Sequence, residues 1–514
     1  MIFFCTFAAM KLFTSQEIHE LDTYTIEHEP IRSVDLMERA AKVMTQAIIS
    51  RWSNITPVIV FAGPSNNGGD ALAIARMLAE KRYEVSVFLF NIKKNLSEDC
   101  AINRERLKEL KNVNFKEITD EFTPPVLKEG MLVIDGLFGT GINRPLGSGF
   151  AALVKLINQS KAEVVSIDIP SGLMPEDNRN NIRQNIICAT LTLSLHQPKL
   201  SFFFPEYQKF LGEVKVLDIQ LSAEGQRKIP TQFVTLEEYD MRKLMKERSP
   251  FAHKGNMGYA MIAAGSYGMG GAAVLAAKAC MRTGVGKLAV RSARKNNDIL
   301  QISVPEAVLL LDASEHHFTE AVDPTPFDAI GLGPGVGTKE PTAIAVISQL
   351  RRSQQIPCVV DADAINILAT HRAWMQQVPK GTIFTPHPKE FDKLYETPAK
   401  ESYERLTHAM ELAKRMECFV LLKGHYTMLC TPDGYVYINT TGNAGMATAG
   451  SGDVLLGIIT ALLARGYSRL EAACLGMYLH GLAGDIAAEE KTMESLIASD
   501  IIDCLPKAFK KLYQ

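Results

Sequence analysis

A run of small residues sets the strongest limit on how this chain can fold. Asn443-Ala444-Gly445-Met446-Ala447-Thr448-Ala449-Gly450-Ser451-Gly452-Asp453 leads directly into the apolar stretch 454–463, which reads as a helix. Glycine, alanine and serine carry little bulk at Cβ, so main-chain N–H groups in such a turn can approach a phosphate closely. The helix that follows aims its unpaired N–H groups and the positive end of its dipole at the same point. Asp453 runs against that arrangement, because a carboxylate repels a bound phosphate. It has a chemical use as a base that takes the proton from a hydroxyl attacking phosphorus. A plainer reading competes: Ser-Gly-Asp ahead of an apolar run also makes a helix cap with an acidic first turn.

The 514 residues exceed one ordinary core and predict two or three domains. A net charge of −2 argues against nucleic acid or an anionic membrane as the main partner. The nine cysteines are scattered, with no Cys-x-x-Cys pair, and read as reduced thiols of a cytoplasmic protein. Beyond the N-terminus no run approaches the roughly 20 apolar residues that span a bilayer. Residues 1–9 are apolar but lack a basic leader, and Met10-Lys11 follows at once. A misassigned start, with Met10 as initiator, is expected in preference to a signal peptide.

In the first half, strand-like runs at 58–62, 84–90, 131–135, 163–168, 189–195 and 213–217 alternate with helical stretches, one at 70–81 behind a glycine loop. Continuous apolar runs predict a parallel sheet covered on both faces, and the alternation predicts a doubly wound α/β domain. A polar lapse at 221–230 predicts the boundary, giving domains 1–225 and 226–514. A second α/β series follows at 259–264, 287–291, 329–332, 358–361, 382–385 and 419–422. A hairpin around Pro432-Asp433-Gly434 joins 426–430 to 435–439.

Open α/β sheets bind ligands at the carboxyl ends of their strands, and three first-half motifs fall there. Gly63-Pro64-Ser65-Asn66-Asn67-Gly68-Gly69-Asp70 is neither a G-x-G-x-x-G nor a Walker loop. Its polar groups either cap a helix or hold a cation or ligand hydroxyls. Asp135-Gly136-Leu137-Phe138-Gly139-Thr140-Gly141-Ile142-Asn143-Arg144-Pro145 carries an arginine suited to phosphate or pyrophosphate. In Asp168-Ile169-Pro170-Ser171-Gly172 the aspartate is either a general acid/base or the cap of a turn.

In this order the three motifs resemble the NAD(P)H-hydrate epimerase family over about residues 10–220, through its N-N-G-G-D, D-x-x-F-G-T-G and S-I-D-x-P-S-G segments. Ala71 stands where that family usually has glycine, and its methyl is expected to narrow the approach slightly. The resemblance implies a Rossmann-like domain in which Asn67, Asp135 and Ser171 hold a potassium ion. It also implies that Asn66, Asn67, Gly68, Gly69 and Asp70, with Gly139, Thr140, Gly141, Ile142, Asn143, Arg144 and Pro145, line the hydrated nicotinamide nucleotide. Asp168 would be the acid/base at ring carbon C6.

The second half carries its own strand-end motifs: Gly265 to Ala273, Gly331-Leu332-Gly333-Pro334-Gly335-Val336-Gly337, Asp361-Ala362-Asp363-Ala364, Thr385-Pro386-His387-Pro388-Lys389-Glu390 and Lys423-Gly424-His425-Tyr426-Thr427. His387, fixed between two prolines, suits a positioned polar role. Over about residues 235–505 these elements resemble the ribokinase-like ADP/ATP-dependent NAD(P)H-hydrate dehydratases. Ala449 replaces that family's usual glycine, which the turn tolerates if Ala449 needs no positive φ. The resemblance implies that Asp453 deprotonates the C6 hydroxyl and that the N–H groups of Gly450 to Gly452 stabilise the charge developing on the phosphoryl group. Gly265, Ala272, Gly335 and His387 would touch the hydrate, and Lys423, Gly424, His425, Tyr426, Thr427 and Gly452 the nucleotide. Magnesium and ADP, with ATP as the other donor, are the implied cosubstrates.

The leading expectation is therefore a cytoplasmic, homo-oligomeric enzyme that epimerises R and S forms of hydrated NADH and NADPH (NADHX and NADPHX) and dehydrates the S form. It would bind neither nucleic acid nor membrane. Two alternatives remain: a vitamin or sugar kinase on the same second-half fold, and a first half that only binds.

Overall fold

The computed structural model describes residues 11–514, so the expectation about residues 1–9 lies outside the described residues. The backbone divides into two compact units, residues 11–231 with 401–403, and residues 232–400 with 404–514. Among the described residues no helix is long and apolar enough to cross a membrane.

The first unit is built on seven parallel strands: β1 (Val58–Ala62), β2 (Val85–Phe90), β3 (Val113–Ile118), β4 (Leu132–Gly136), β5 (Glu163–Ile167), β6 (Leu191–Leu195) and β7 (Glu213–Leu217). They lie in the order β3-β2-β1-β4-β5-β6-β7. The cause is visible in composition, since β1 reads Val-Ile-Val-Phe-Ala and every residue of it is buried. The chain first winds outward from β1 to β3, then returns beside β1 with β4. That reversal opens a crevice at the carboxyl ends of β1 and β4, the usual ligand position in such sheets. Two of the three first-half motifs leave the sheet there.

The structure differs from expectation at two points. Strand β3 was not anticipated, because Val-Asn-Phe-Lys-Glu-Ile alternates polar and apolar residues instead of running apolar. It lies at the sheet edge, where one side stays wet. The helix expected at 70–81 spans Asn66–Glu80, so Asn-Asn-Gly-Gly is its first turn and not a loop. Two glycines weaken a helix, but Gly68 has no alternative: a Cβ on it would lie 1.7 Å from the Gly63 carbonyl oxygen. Close docking of the helix onto its own strand exit requires the glycine.

The second unit has strands β8 (Phe233–Thr235), β9 (Tyr259–Ala263), β10 (Lys287–Ser292), β11 (Val308–Leu311), β12 (Ala329–Leu332), β13 (Cys358–Val360), β14 (Ile383–Phe384), β15 (Phe419–Leu422), β16 (Met428–Cys430) and β17 (Val436–Ile438). Their order is β8-β17-β16-β15-β14-β13-β12-β9-β10-β11. From β15 to β11 all neighbours are parallel, and β16 is antiparallel to both β15 and β17. The expected hairpin is β16–β17. Strand β8, three residues long, and the half-exposed edge strand β11 escaped the search for buried runs. Here the reversal falls between β9 and β12.

Helix Ser451–Ala464 packs on this sheet with every residue from Val454 to Ala464 buried. A helix apolar all round is an interior helix, and each fully buried leucine or isoleucine is worth about 1.5–3 kcal/mol. It also packs tightly on helix Gly270–Arg282, since a Cβ on Gly457 would lie 2.2 Å from the Ala276 carbonyl oxygen.

Candidate functional site

In the first unit the strand ends surround a cavity of about 1050 Å³. Asn66, Asn67, Asp70, Asp168 and the whole segment from Gly139 to Pro145 line it. Gly68 and Gly69 do not, because Gly68 faces Gly63 and Gly69 faces the Met37 sulfur. Ala71 is fully buried, with its methyl toward Gly136 of β4, so it does not narrow the approach.

Asp168 follows β5 in the left-handed backbone region, at φ +63°. Few residues other than glycine, asparagine and aspartate enter it routinely. Its Oδ1 accepts from the Leu195 N–H at 3.0 Å and lies 2.6 Å from Lys199 Nζ. Lys199 is only 4% exposed, and its ammonium also lies within reach of the Leu195 and Gln197 carbonyls. The sequence reading passed over Lys199, although it follows the carboxyl end of β6, where the same strand-end rule applies.

Asp135 ends β4 fully buried. One of its oxygens accepts from the Ser166 hydroxyl at 2.8 Å and the Ser171 N–H at 2.9 Å. Burial pushes its carboxyl up, and these hydrogen bonds oppose the shift. The Ser171 hydroxyl donates to the Phe138 carbonyl at 3.1 Å. Asn67 is buried beside Gly139, and its amide nitrogen has no hydrogen-bond partner among the described residues.

In the second unit Gly450 caps helix Ser451–Ala464 at φ +90° while Ala449 takes no positive φ, so the departure at Ala449 leaves the turn intact. Asp485 braces the approach to this turn, accepting from the Gly442 N–H and the Asn443 amide, each at 2.9 Å. The Ser451 hydroxyl lies 3.3 Å from Nε2 of His480, whose imidazole burial pushes down to about 4.

Asp453 sits in the first helical turn. Burial, then the charge of Asp361, pushes its carboxyl up to about 7, and Lys423 opposes the shift. Lys423 bonds elsewhere: Nζ is 2.8 Å from Asp361 Oδ1 and 3.9 Å from Glu390. A Cβ on Gly452 would meet Lys423 Nζ at 3.1 Å and Asp361 at 3.4 Å, which puts the turn, the lysine and the acid in one spot. Asp361 and Glu390 were read only as part of their motifs, with no partner assigned.

Three of the residues expected at the hydrate, Gly265, Ala272 and Gly335, meet at the β9/β12 reversal. The Gly265 N–H donates to Pro334 at 2.8 Å, and a Cβ on Gly335 would lie 3.2 Å from the Ala272 methyl. His387 caps helix Pro388–Leu394, its Nδ1 accepting from the Lys389 and Glu390 N–H groups. Its Nε2 lies 3.5 Å from Glu390, which links it to Lys423. Gly424 to Thr427 form the tight turn into β16, with the Thr427 hydroxyl donating to Gly424 and the His425 and Tyr426 rings 4.4 Å apart. A separate hollow of about 710 Å³, lined by Thr338, Asn366, Arg372 and Lys393 among others, includes none of the expected residues.

Comparison with known proteins follows the same division. A family model described as NAD(P)H-hydrate dehydratase matches residues 260–507, and one described as YjeF-related protein N-terminus matches residues 33–201. A bifunctional NAD(P)H-hydrate repair enzyme Nnr of Moorella thermoacetica is 33% identical, over 98% of this chain and 97% of its own. Its counterpart from Thermofilum pendens is also 33% identical, with the same two coverages of 98% and 97%. Among solved structures, the ADP/ATP-dependent NAD(P)H-hydrate dehydratase of Bacillus subtilis, co-crystallised with ATP and magnesium, is 30% identical with a TM-score of 0.48. That match covers 54% of this chain and 97% of the other.

Proposed function

The chain belongs to the family of bifunctional NAD(P)H-hydrate repair enzymes, and we propose that each unit carries one of the two reactions. The first unit interconverts the R and S hydrates of NADH and NADPH. The second consumes the S hydrate with a nucleotide and returns NAD(P)H.

The observation that carries the second reaction is Asp453, in the first turn of a helix behind a left-handed glycine, with its carboxyl raised to about 7. A base at that value accepts a proton near neutral pH and still returns it. Asp453 takes the proton of the C6 hydroxyl, and the hydroxyl oxygen attacks the terminal phosphorus of ADP. The N–H groups of Gly450 to Gly452 and the Lys423 ammonium face the charge that develops there. AMP departs. The new phosphate ester then leaves C6, and loss of a ring proton restores the dihydronicotinamide. Phosphorylation converts hydroxide, a poor leaving group, into a good one.

Magnesium would supply charge neutralisation at the phosphates. Among the described residues no three acidic, histidine or cysteine side chains converge on one metal position, which suits an ion carried mainly by phosphate oxygens and water. In the first unit Asp168 handles the proton at C6, while Asn66, Asp70 and the 139–145 segment hold the nucleotide. Asn67, Asp135 and Ser171 would hold potassium, which would neutralise a fully buried carboxylate. The donor set of one carboxylate and two neutral oxygens suits a monovalent ion.

A cytoplasmic location accords with the cysteines, which among the described residues are all free and, apart from Cys188, buried. A homo-oligomer accords with the edge strand β7, where Val214 and Val216 are exposed. The test is recovery of NADH absorbance from a mixture of both hydrates with magnesium and either ADP or ATP. Recovery of the whole mixture is expected, and ADP is expected to be the better donor. Recovery of only the S share would reduce the first unit to a binding module, and no recovery would return the second to the vitamin and sugar kinases.

A further inference from the structure

Asp168 does not face its cavity alone. Asp22, from helix Ser15–His28, and Asp70, from helix Asn66–Glu80, line the same space, and so does Lys199. With Glu176 and Asp177, five carboxyl groups therefore line one cavity, and its buried ammonium, Lys199, is bonded to Asp168. Like charges crowded in a poorly solvated site favour proton uptake by some of their number. Burial first, and the charge of Asp168 next, push the Asp22 carboxyl up to about 6. Asp70 rises well above the usual carboxylate range, again by burial first. The charges acting on Asp22 are those of Asp168, His19 and Lys199, whereas Asp70 also feels Asp99 of helix Glu98–Lys108.

Inversion at C6 by cleavage of the C6–O bond has oxygen leave one face of the ring and water return to the other. A single carboxylate fixed on one side serves one face. Asp22, on a helix, and Asp168, just past a strand end, bring two carboxyls from different elements to the same cavity. Resting on the epimerase reading above, we propose that Asp22 is a second catalytic group of the inversion, the acid that protonates the departing oxygen, while Asp168 takes the proton of the incoming water. Lys199 is a positioning residue that fixes Asp168.

The step balances without a further reactant. The C6–O bond breaks with its electron pair going to oxygen, which takes the Asp22 proton and leaves as water. The lone pair of the ring nitrogen forms the N1=C6 double bond. Water then adds to the opposite face of C6, the N1=C6 pair returns to nitrogen, and the released proton goes to Asp168. Exchange with solvent resets the two carboxyls, and nothing is oxidised or reduced.

The test uses the full-length protein and R-hydrated NADH in oxygen-18 water, without nucleotide so that dehydration is silent. Chromatography separates the epimers, and mass spectrometry reads the oxygen. Wild type is expected to incorporate one solvent oxygen per inversion. Asp22→Asn is expected to slow inversion by about 10²–10⁴-fold with hydrate affinity retained, and Asp22→Glu to restore part of the rate. Four results would overturn the proposal: inversion by Asp22→Asn at the wild-type rate, lost affinity with bound hydrate still inverted normally, inverted product that keeps its original oxygen, or loss of rate in Asp70→Asn alone. A wild-type protein that inverts nothing would overturn the proposal together with the epimerase reading, and it is distinguished from these four by the parent protein itself.

Discussion

Asp168 stands just past the end of β5 and Asp453 in the first turn of a helix, and only Asp168 is held directly by a lysine. Lys199 grips it at 2.6 Å, while Lys423 in the other unit bonds Asp361 and leaves Asp453 to be raised by burial and by that same Asp361. The partner of the lysine, more than its presence, decides whether each of these two carboxylates stands within an ion pair or outside one. Each arrangement suits its proposed task. A proton-handling group at C6 needs a fixed direction, whereas a base facing phosphates needs a pKa near the working pH.

The largest test of this contrast is Asp453→Asn, which should cut NADH recovery from S hydrate by about 10²–10⁴-fold while R/S interconversion, followed by chromatography, persists. Next is Lys199→Met. Removing one partner of a buried pair costs about 3–5 kcal/mol, so a lower denaturation midpoint should accompany a loss of inversion. If inversion survives that substitution, the ion pair is only structural. A third effect concerns pH. The rate of the dehydration should fall as pH drops through about 7, because Asp453 then carries a proton. Its stability effect has the opposite sign. A carboxyl raised in the folded state favours folding below its unfolded value and weakens it as pH rises to about 7. Asp453→Asn should therefore melt above wild type at about pH 8, with the gap closing towards pH 4. The smallest effect is expected of Ala71→Gly. It should leave hydrate KM unchanged, since the methyl faces β4, and cost about 1 kcal/mol of helix stability.

The buried strands were legible in the sequence because they run apolar without break, and β1 and β15 fall on their expected residues. The wetter or shorter β3, β8 and β11 were not, because a half-exposed or three-residue strand gives little periodic signal. The motifs that carry the sites were visible as strand exits. What stayed hidden was pairing. Nothing local in the sequence ties Lys199 to Asp168, brings Asp22 into the same cavity, or assigns Lys423 to Asp361. Those neighbours meet only after the strands are ordered. The Asn-Asn-Gly-Gly turn was misread for a related reason, since the need for glycine comes from Gly63 across a contact that propensity does not describe.

The left-handed backbone of Asp168 has a consequence for what can replace it. Most residues pay about 1–2 kcal/mol to stand there, so alanine would mix a conformational penalty with the loss of the carboxylate. Asparagine avoids that penalty and keeps the shape, but it leaves the buried Lys199 ammonium without its carboxylate, at a cost of about 3–5 kcal/mol. The backbone at this position selects a short polar residue while the ion pair selects a carboxylate, and aspartate is the one side chain that meets both demands.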